Sequence, residues 1–209
     1  KTEYDVVTTL EDLGHDVMPL GVTSDLGVIH HAIARFNPDI MFNLLEEFGG
    51  VGVFDAHVVS YLEMLRMPYT GCNPRGLMLA HNKALSKMVC RYHRIHVPAF
   101  GVFPMGQRVK RPRKLEFPLF VKSLTEEGSV GIAQASIVRN DEALKERCEF
   151  IHRTLGTDAI AEQYIDGREL YVGVIGNDRL RTFPVWELVF ENLRDDAPKI
   201  ATGRIKWDL

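Results

Sequence analysis

Residues 117–132 read FPLFVKSLTEEGSVGI and place a lysine at the end of an apolar run, directly before a loop of glycine, serine and glutamate. The run from Phe117 to Val121 has the composition of a buried strand. At the period of two of a strand, Lys122 shares a face with Phe120, so we expect its ammonium group to point inward. A second strand is predicted from Val130 to Ala135. A buried ammonium group without a partner is costly, so Lys122 needs an anion.

Two kinds of anion fit Lys122. The first is a carboxylate such as Glu162, in an ordinary structural ion pair. The second is a triphosphate, which would also satisfy Lys83, a cation in the first turn of a helix where it opposes the helix dipole. Backbone N–H groups of the glycine and serine loop would then surround the phosphate oxygens. The loop is neither a Walker loop nor a dinucleotide-binding fingerprint, so the pattern alone leaves both partners open.

Composition sets the general class of the protein. The chain has 209 residues, 45% of them hydrophobic, enough to bury the core of one large or two small domains. A net charge of −3 gives no chain-wide attraction to nucleic acid or to a membrane. Three widely spaced cysteines suggest reduced thiols in the cytoplasm rather than disulfides or a zinc site. Because the sequence starts at Lys1 rather than Met, we expect it to be part of a longer protein.

The first part of the chain alternates helices with apolar strands. Helical spacing of apolar residues predicts three helices, at 4–13, at 25–36 after a Ser24 cap, and at 54–65. Strands are predicted at 16–22 and 39–45. Such alternation predicts a parallel sheet covered on both faces. We place the end of this domain near residue 80.

The pattern then changes to antiparallel α+β. Asn73 and Asn82 are predicted to cap two short helices, and strands begin within HVPAFGVF, residues 96–103. A further helix from Asn140 carries one apolar stripe and ends at Gly156.

A hairpin turn is predicted at Asp166 and Gly167, between AIAEQY and ELYVGVIG. This would put Glu162 and Glu169 on neighbouring strands. There they would pair with Arg168 or Lys122, or accept hydrogen bonds from an exocyclic amine and from ribose hydroxyl groups.

Four stretches in this order resemble the ATP-grasp family, specifically its D-alanine:D-alanine ligase-like members. They are FNLLEEFGG, YLEMLRMPYTG followed by NKALSK, FPLFVK with its EEGSVG loop, and AEQYIDGREL. The resemblance implies an α/β fold with a parallel-sheet N-terminal domain (1–80), a central ATP-grasp domain (81–167) and the start of a C-terminal ATP-grasp domain (168–209). Nucleotide would lie between two antiparallel sheets.

The resemblance also implies roles for individual residues. Lys83, Lys122 and Lys206 match lysines that contact phosphate, and Glu126, Gly128 and Ser129 belong to a loop that covers it. Glu162 would accept a hydrogen bond from the adenine amine. The segment Gln163, Tyr164 and Ile165 would lie along the edge of adenine, and Glu169 would accept hydrogen bonds from the ribose. The cofactors implied are ATP and Mg²⁺, with small-molecule carboxylate and amine substrates joined through an acylphosphate. No metal ligand or catalytic residue is assigned, no nucleic acid or membrane partner is implied, and a homodimer is among the assemblies that the resemblance allows.

The acid-binding half departs from the family pattern. Glu127 and Gly128 stand where the family has glycine and serine, Trp207 replaces a tyrosine, and LEEFGG (45–50) lacks a His-Gly pair. We therefore expect a ligase with a substrate other than D-alanine. The alternative is a non-catalytic adenine-nucleotide-binding module of the same fold.

Overall fold

A computed structural model describes residues 2–190 and residue 200. The chain divides into two compact units between Ser86 and Lys87, and each is described here by itself. The helices before the division are α1 (Thr2–Asp12), α2 (Gly27–Phe36), α3 (Asp55–Met64) and α4 (Pro74–His81), and α5 (Lys83–Tyr92) runs across it. None of the described helices is long and apolar enough to span a membrane.

Local capping signals place most of the helix starts. The Asn73 side chain accepts the Gly76 N–H at 2.9 Å, and Asn82 accepts the Leu85 N–H at 2.9 Å, so both predicted caps are confirmed. The predicted Ser24 cap is wrong. The Asp25 carboxylate accepts the Gly27 N–H at 2.7 Å, and this local turn delays the start of α2 to Gly27.

The core of the first unit lies between α2 and α3. Ile29 packs with Val58 and Leu62, and partly buried apolar side chains surround them. The parallel sheet expected in this unit is not confirmed. Among the described residues, 16–22 form no strand and 39–45 contribute only the parallel bridge of Met41 to Tyr69. A strand exists only through ladder hydrogen bonds with a partner, so an apolar run alone does not make one.

The second unit contains an antiparallel sheet with one helix on it. Its four strands have the order β1-β4-β2-β3. They are β1 (Phe100–Phe103), β2 (Leu119–Ser123), β3 (Ile137–Val138) and β4 (Ala159–Gln163), and the helix is α6 (Asp141–Leu155). The strand predicted at 130–135 is wrong, because turns and a short 3-10 helix occupy that segment and β3 follows it.

The two faces of this sheet differ. Leu119 and Val121 of β2 lie with alanines of β4 against the apolar stripe of α6 and form the core. Phe120 and Lys122 occupy the opposite, half-buried face. The sequence predicted that the Lys122 side chain points inward. In the structure it lies on the face away from the core. The caps of α6 are confirmed, since Asn140 accepts the Ala143 N–H at 2.8 Å and Gly156 has a φ of 65°.

The chain after β4 forms two further antiparallel pairs. They are β5 (Glu169–Tyr171) with β8 (Trp186–Leu188), and β6 (Val174–Ile175) with β7 (Arg181–Thr182). The hairpin predicted at Asp166 and Gly167 is wrong, because β4 pairs with β1 and β2 while β5 pairs with β8. The Tyr164 N–H donates to the Pro118 carbonyl at 3.0 Å, so the chain continues along β2 beyond β4 instead of turning back. A mixed α/β fold with antiparallel sheets is confirmed.

Candidate functional site

A buried carboxylate between two lysines lies on the sheet face away from α6. Glu162 of β4 is opposite Phe120 of β2, so Lys122 is its diagonal neighbour on the same face. The Lys122 ammonium group pairs with Oε1 of Glu162. From α5, the Lys87 Nζ lies 2.6 Å from Oε2. The carboxylate partner that the sequence left open for Lys122 is the one present in this structure.

The charges of this cluster do not cancel. Glu162 is only 6% exposed, and burial alone would raise the pKa of its carboxyl group. The attraction of Lys122, followed by that of Lys87, outweighs burial and holds the pKa below its ordinary value. Glu162 is therefore ionised near neutral pH. Among the described ion pairs of this cluster, two ammonium groups face one carboxylate, so one positive charge is left over and suits a second anion.

One oxygen of Glu162 can still accept a hydrogen bond. Oε2 is buried, and its contact is the Lys87 ammonium group. A carboxylate oxygen has two lone pairs, so this one contact leaves the second lone pair available. A donor such as an exocyclic amine would complete this acceptor.

Replacing Glu162 with glutamine tests the charge cluster through protein stability. Because the Glu162 pKa is lowered by folding, its stabilisation is fully present above the ordinary value of 4.5 and is lost as the pH falls through the folded-state pKa. We expect Glu162→Gln to lower the free energy of unfolding by about 3 kcal/mol at neutral pH, the lower end for a broken buried pair. Denaturant unfolding of both proteins across pH should show this difference shrinking below pH 4.5. A difference independent of pH would contradict the assignment.

The loop after Lys122 is anchored at its start by a buried serine. Ser123 is 2% exposed, and its Oγ accepts the Thr125 and Glu126 N–H groups at 3.2 and 2.9 Å. A hydrogen bond of 2.8 Å to the Thr157 hydroxyl fixes the Ser123 side chain in turn. The start of the loop is therefore held against the sheet next to Lys122.

A buried arginine of α6 anchors the other end of the loop. The Arg147 guanidinium donates to the Gly131 carbonyl and, at 2.9 Å, to the Ser136 hydroxyl. Gly131 has a φ of 70°, and a Cβ there would lie 2.7 Å from the Leu155 side chain, so a larger residue would be strained at this position. Between the anchors, Gly128 and Ser129 also have positive φ, 61° and 67°. A loop fixed at both ends with turns between them is suited to close over a ligand.

Removing the first anchor should open this loop. Ser123→Ala leaves two N–H groups without their acceptor, at a cost of about 1 to 3 kcal/mol. We expect a glutamate-specific protease to cut after Glu126 or Glu127 at least several-fold faster than in the parent protein. Ser60→Ala, which removes a hydrogen bond inside α3, is the control. Equal cleavage rates for parent and Ser123→Ala would show that Ser123 does not hold the loop.

The other predicted site residues are placed as follows. The Gln163 N–H donates to the Ala99 carbonyl at 2.8 Å and the Tyr164 N–H to Pro118, so these two donors are already engaged within the fold. Ile165 is 63% exposed. Glu169 lies on the separate β5-β8 pair, where it accepts a hydrogen bond from the Tyr171 hydroxyl, which raises the Tyr171 pKa to about 12.

The structure does not place every predicted residue relative to this cluster. Lys83 is the first residue of α5 and belongs to the first unit, whereas Lys122 and Glu162 belong to the second. Lys206 and Trp207 lie outside the described residues. Sequence reasoning assigned no role to Lys87, although its spacing of four from Lys83 places both lysines on one side of the helix and was the available signal.

Comparisons with known proteins return D-alanine:D-alanine ligases repeatedly. A family model described as D-ala D-ala ligase C-terminus matches residues 94–195. An uncharacterized protein, y4sG, of Sinorhizobium fredii is 32% identical over 92% of this chain and 56% of its own length. The D-alanine:D-alanine ligase of Desulforudis audaxviator is 29% identical over 88% of this chain and 58% of its own. The chain thus spans a little over half the length of these curated relatives.

A solved structure supports the fold. The crystal structure of D-alanine:D-alanine ligase from Bacillus anthracis, complexed with ATP, superposes with a TM-score of 0.63 and 23% identity. The match covers 78% of this chain and 53% of that one.

Proposed function

Since the chain is a D-alanine:D-alanine ligase-like member of the ATP-grasp family, we propose that it forms the nucleotide site of an ATP-dependent ligase joining a carboxylate to an amine. The observation that carries the proposal is the cluster of Lys122, Glu162 and Lys87. In this cluster two lysines face one buried carboxylate, and an anchored loop follows Lys122. The excess positive charge suits the phosphates, and the carboxylate suits the amino group of a base.

The proposed roles follow from this arrangement. Lys122 turns from Glu162 to the phosphate chain, together with Lys83 and Lys206, and the loop carrying Glu126, Gly128 and Ser129 covers it. Oε2 of Glu162 accepts a hydrogen bond from the exocyclic amine of adenine. The segment Gln163, Tyr164 and Ile165 lies along the edge of the base, and Glu169 accepts hydrogen bonds from the ribose hydroxyl groups.

The proposed reaction needs positioning more than side-chain chemistry. The substrate carboxylate attacks the γ-phosphorus of ATP, ADP leaves, and the amine then displaces phosphate from the acylphosphate. Lysines and loop N–H groups stabilise the charge that is transferred. Bound magnesium would neutralise part of the phosphate charge. Within the described part of the chain, no group of three or more His, Cys, Asp or Glu side chains is placed to hold a metal, so no ligand is assigned.

The acid substrate is proposed to differ from D-alanine. Glu127 and Gly128 replace the residue types that the family has at these loop positions. A negative side chain at position 127 would repel a second carboxylate and alter hydrogen bonding in the acid-binding part of the site.

A coupled ADP-release assay on the full-length protein tests this function. We expect little ADP release with D-alanine alone and substrate-dependent release with another pair from a panel of amino acids and small carboxylates. Binding of ATP without ADP release for any pair would contradict the ligase and favour the non-catalytic nucleotide-binding module.

A further inference from the structure

Lys87 makes a contact that the proposed phosphate and adenine roles do not use. Its Nζ lies 2.6 Å from the buried Oε2 of Glu162, and its side chain is 17% exposed. It comes from α5, whereas the other lysine of the cluster comes from β2. Two cations from different elements on one carboxylate can have separate tasks.

Ligand binding would change the charge on Glu162 if Lys122 were its only cation. Lys122 directly precedes the anchored loop, so it is the lysine placed to move toward a phosphate. Burial favours the neutral carboxyl form, and the charged groups that oppose this are Lys122 and Lys87. On the other neighbouring strand, β1, the residue opposite Glu162 is the uncharged Phe100, with the Arg91 guanidinium 4.8 Å from its ring centre. When Lys122 leaves, Lys87 is the cation that remains among the described ion pairs of Glu162.

The charge state of Glu162 decides which purine base it can bind. An ionised carboxylate only accepts hydrogen bonds and so suits the amino group of adenine. A protonated carboxyl group also donates and would satisfy the carbonyl oxygen that guanine carries at the same position. Keeping Glu162 ionised in the complex is therefore a requirement for selecting adenine.

We propose that Lys87 is a specificity-determining positioning residue, which keeps Glu162 ionised and oriented while Lys122 is engaged by phosphate. This inference rests on the proposed function, because it assumes that a purine nucleotide occupies the site. It assigns the two lysines of the cluster different tasks, one for the triphosphate and one for the base.

Lys87→Met tests the division of tasks, because it keeps the length of the side chain and removes its charge. Affinities for ATP and GTP would be measured by competition with a fluorescent ATP analogue. We expect the ratio of ATP to GTP affinity to fall at least about tenfold, the effect of losing one charged hydrogen bond. Lys87→Arg should retain most of the ratio. Lys145→Met, on the exposed side of α6, is the matched control.

The dependence on pH separates this role from a purely structural one. In Lys87→Met, raising the pH from about 6 to about 9 should restore the preference for ATP, because Glu162 ionises again. The parent protein should show little change over that range. If Lys87→Met does not fold, Lys87→Gln, which keeps a polar side chain but carries no charge, should show the same loss and the same recovery.

The outcomes distinguish the inference from the proposed function. A parent protein that does not bind ATP would refute the proposed function. A parent that binds ATP selectively, with an unchanged ratio in Lys87→Met and Lys87→Gln, would overturn the inference alone. Equal weakening of ATP and GTP would also overturn it, because it would make Lys87 a phosphate contact.

Discussion

Lys122→Ala is expected to weaken ATP binding by at least about tenfold, because charge-assisted contacts to phosphate contribute roughly 1.5 to 3 kcal/mol each. The loss is smaller than the gross strength of the contact, since Lys122 is already paired with Glu162 before phosphate binds. Calorimetric titration with ATP measures the effect. Lys145→Ala, which removes an exposed lysine with a 3.8 Å contact to Glu149, is the control.

Two results would decide the role of Lys122. An unchanged ATP affinity in a folded Lys122→Ala protein would remove this lysine from the phosphate site and leave it as a structural partner of Glu162. Loss of binding should instead be specific to the phosphates. We therefore expect the variant to retain adenosine affinity while ATP loses its advantage over adenosine.

Glu162→Gln should abolish the preference for ATP over GTP. The amide can accept a hydrogen bond from the adenine amine or donate one to the guanine carbonyl, whereas the ionised carboxylate can only accept. A site built around a charged acceptor discriminates by about 1.5 to 3 kcal/mol, so the affinity ratio should fall by tenfold or more. Competition titrations with the two nucleotides measure the ratio.

The control for this variant is Glu149→Gln on α6, where the carboxylate side chain is 54% exposed. It should leave both affinities unchanged. If the ratio of ATP to GTP affinity in Glu162→Gln stays at the parent value, Glu162 has only a structural role in the sheet, and other residues recognise the base.

Local signals in the sequence were reliable where the structure depends on neighbouring residues. The caps at Asn73, Asn82 and Asn140 bind N–H groups three residues ahead, so composition and spacing were enough. The C-terminal stop at Gly156 needs only a positive φ, which glycine adopts without strain. The exception was the start of α2, where Asp25 competed with Ser24 for the same local role.

Strand pairing could not be predicted in the same way. Whether residues 16–22 form a strand depends on a partner that the run itself does not specify. The dipeptide of Asp166 and Gly167 has the composition of a hairpin turn, yet β4 finds its partners in β1 and β2. Turn composition permits a hairpin, but hydrogen bonding to residues distant in sequence decides whether it forms.

The candidate site was predictable in its residue types and only partly in its arrangement. A lysine ending an apolar strand indicated an anion, and Glu162 was one of the two partners considered. The second cation came from α5, and the spacing of four between Lys83 and Lys87 places both on one side of the helix without indicating which strand the Lys87 ammonium group reaches. The anchors Ser123 and Arg147 were also missed, because a buried serine or arginine is recognised only from what surrounds it.

Chemical labelling of the lysines tests the central claim that this sheet face holds the phosphates of ATP. An acyl phosphate derivative of ATP transfers its acyl group to amines held beside the phosphate chain, and peptide mass spectrometry locates the modified lysines. We predict acylation of Lys122 that excess ATP suppresses and GTP does not, with exposed lysines such as Lys110 and Lys114 unaffected by either nucleotide. Labelling of Lys122 no greater than that of Lys110 and Lys114, or insensitive to ATP, would contradict the account.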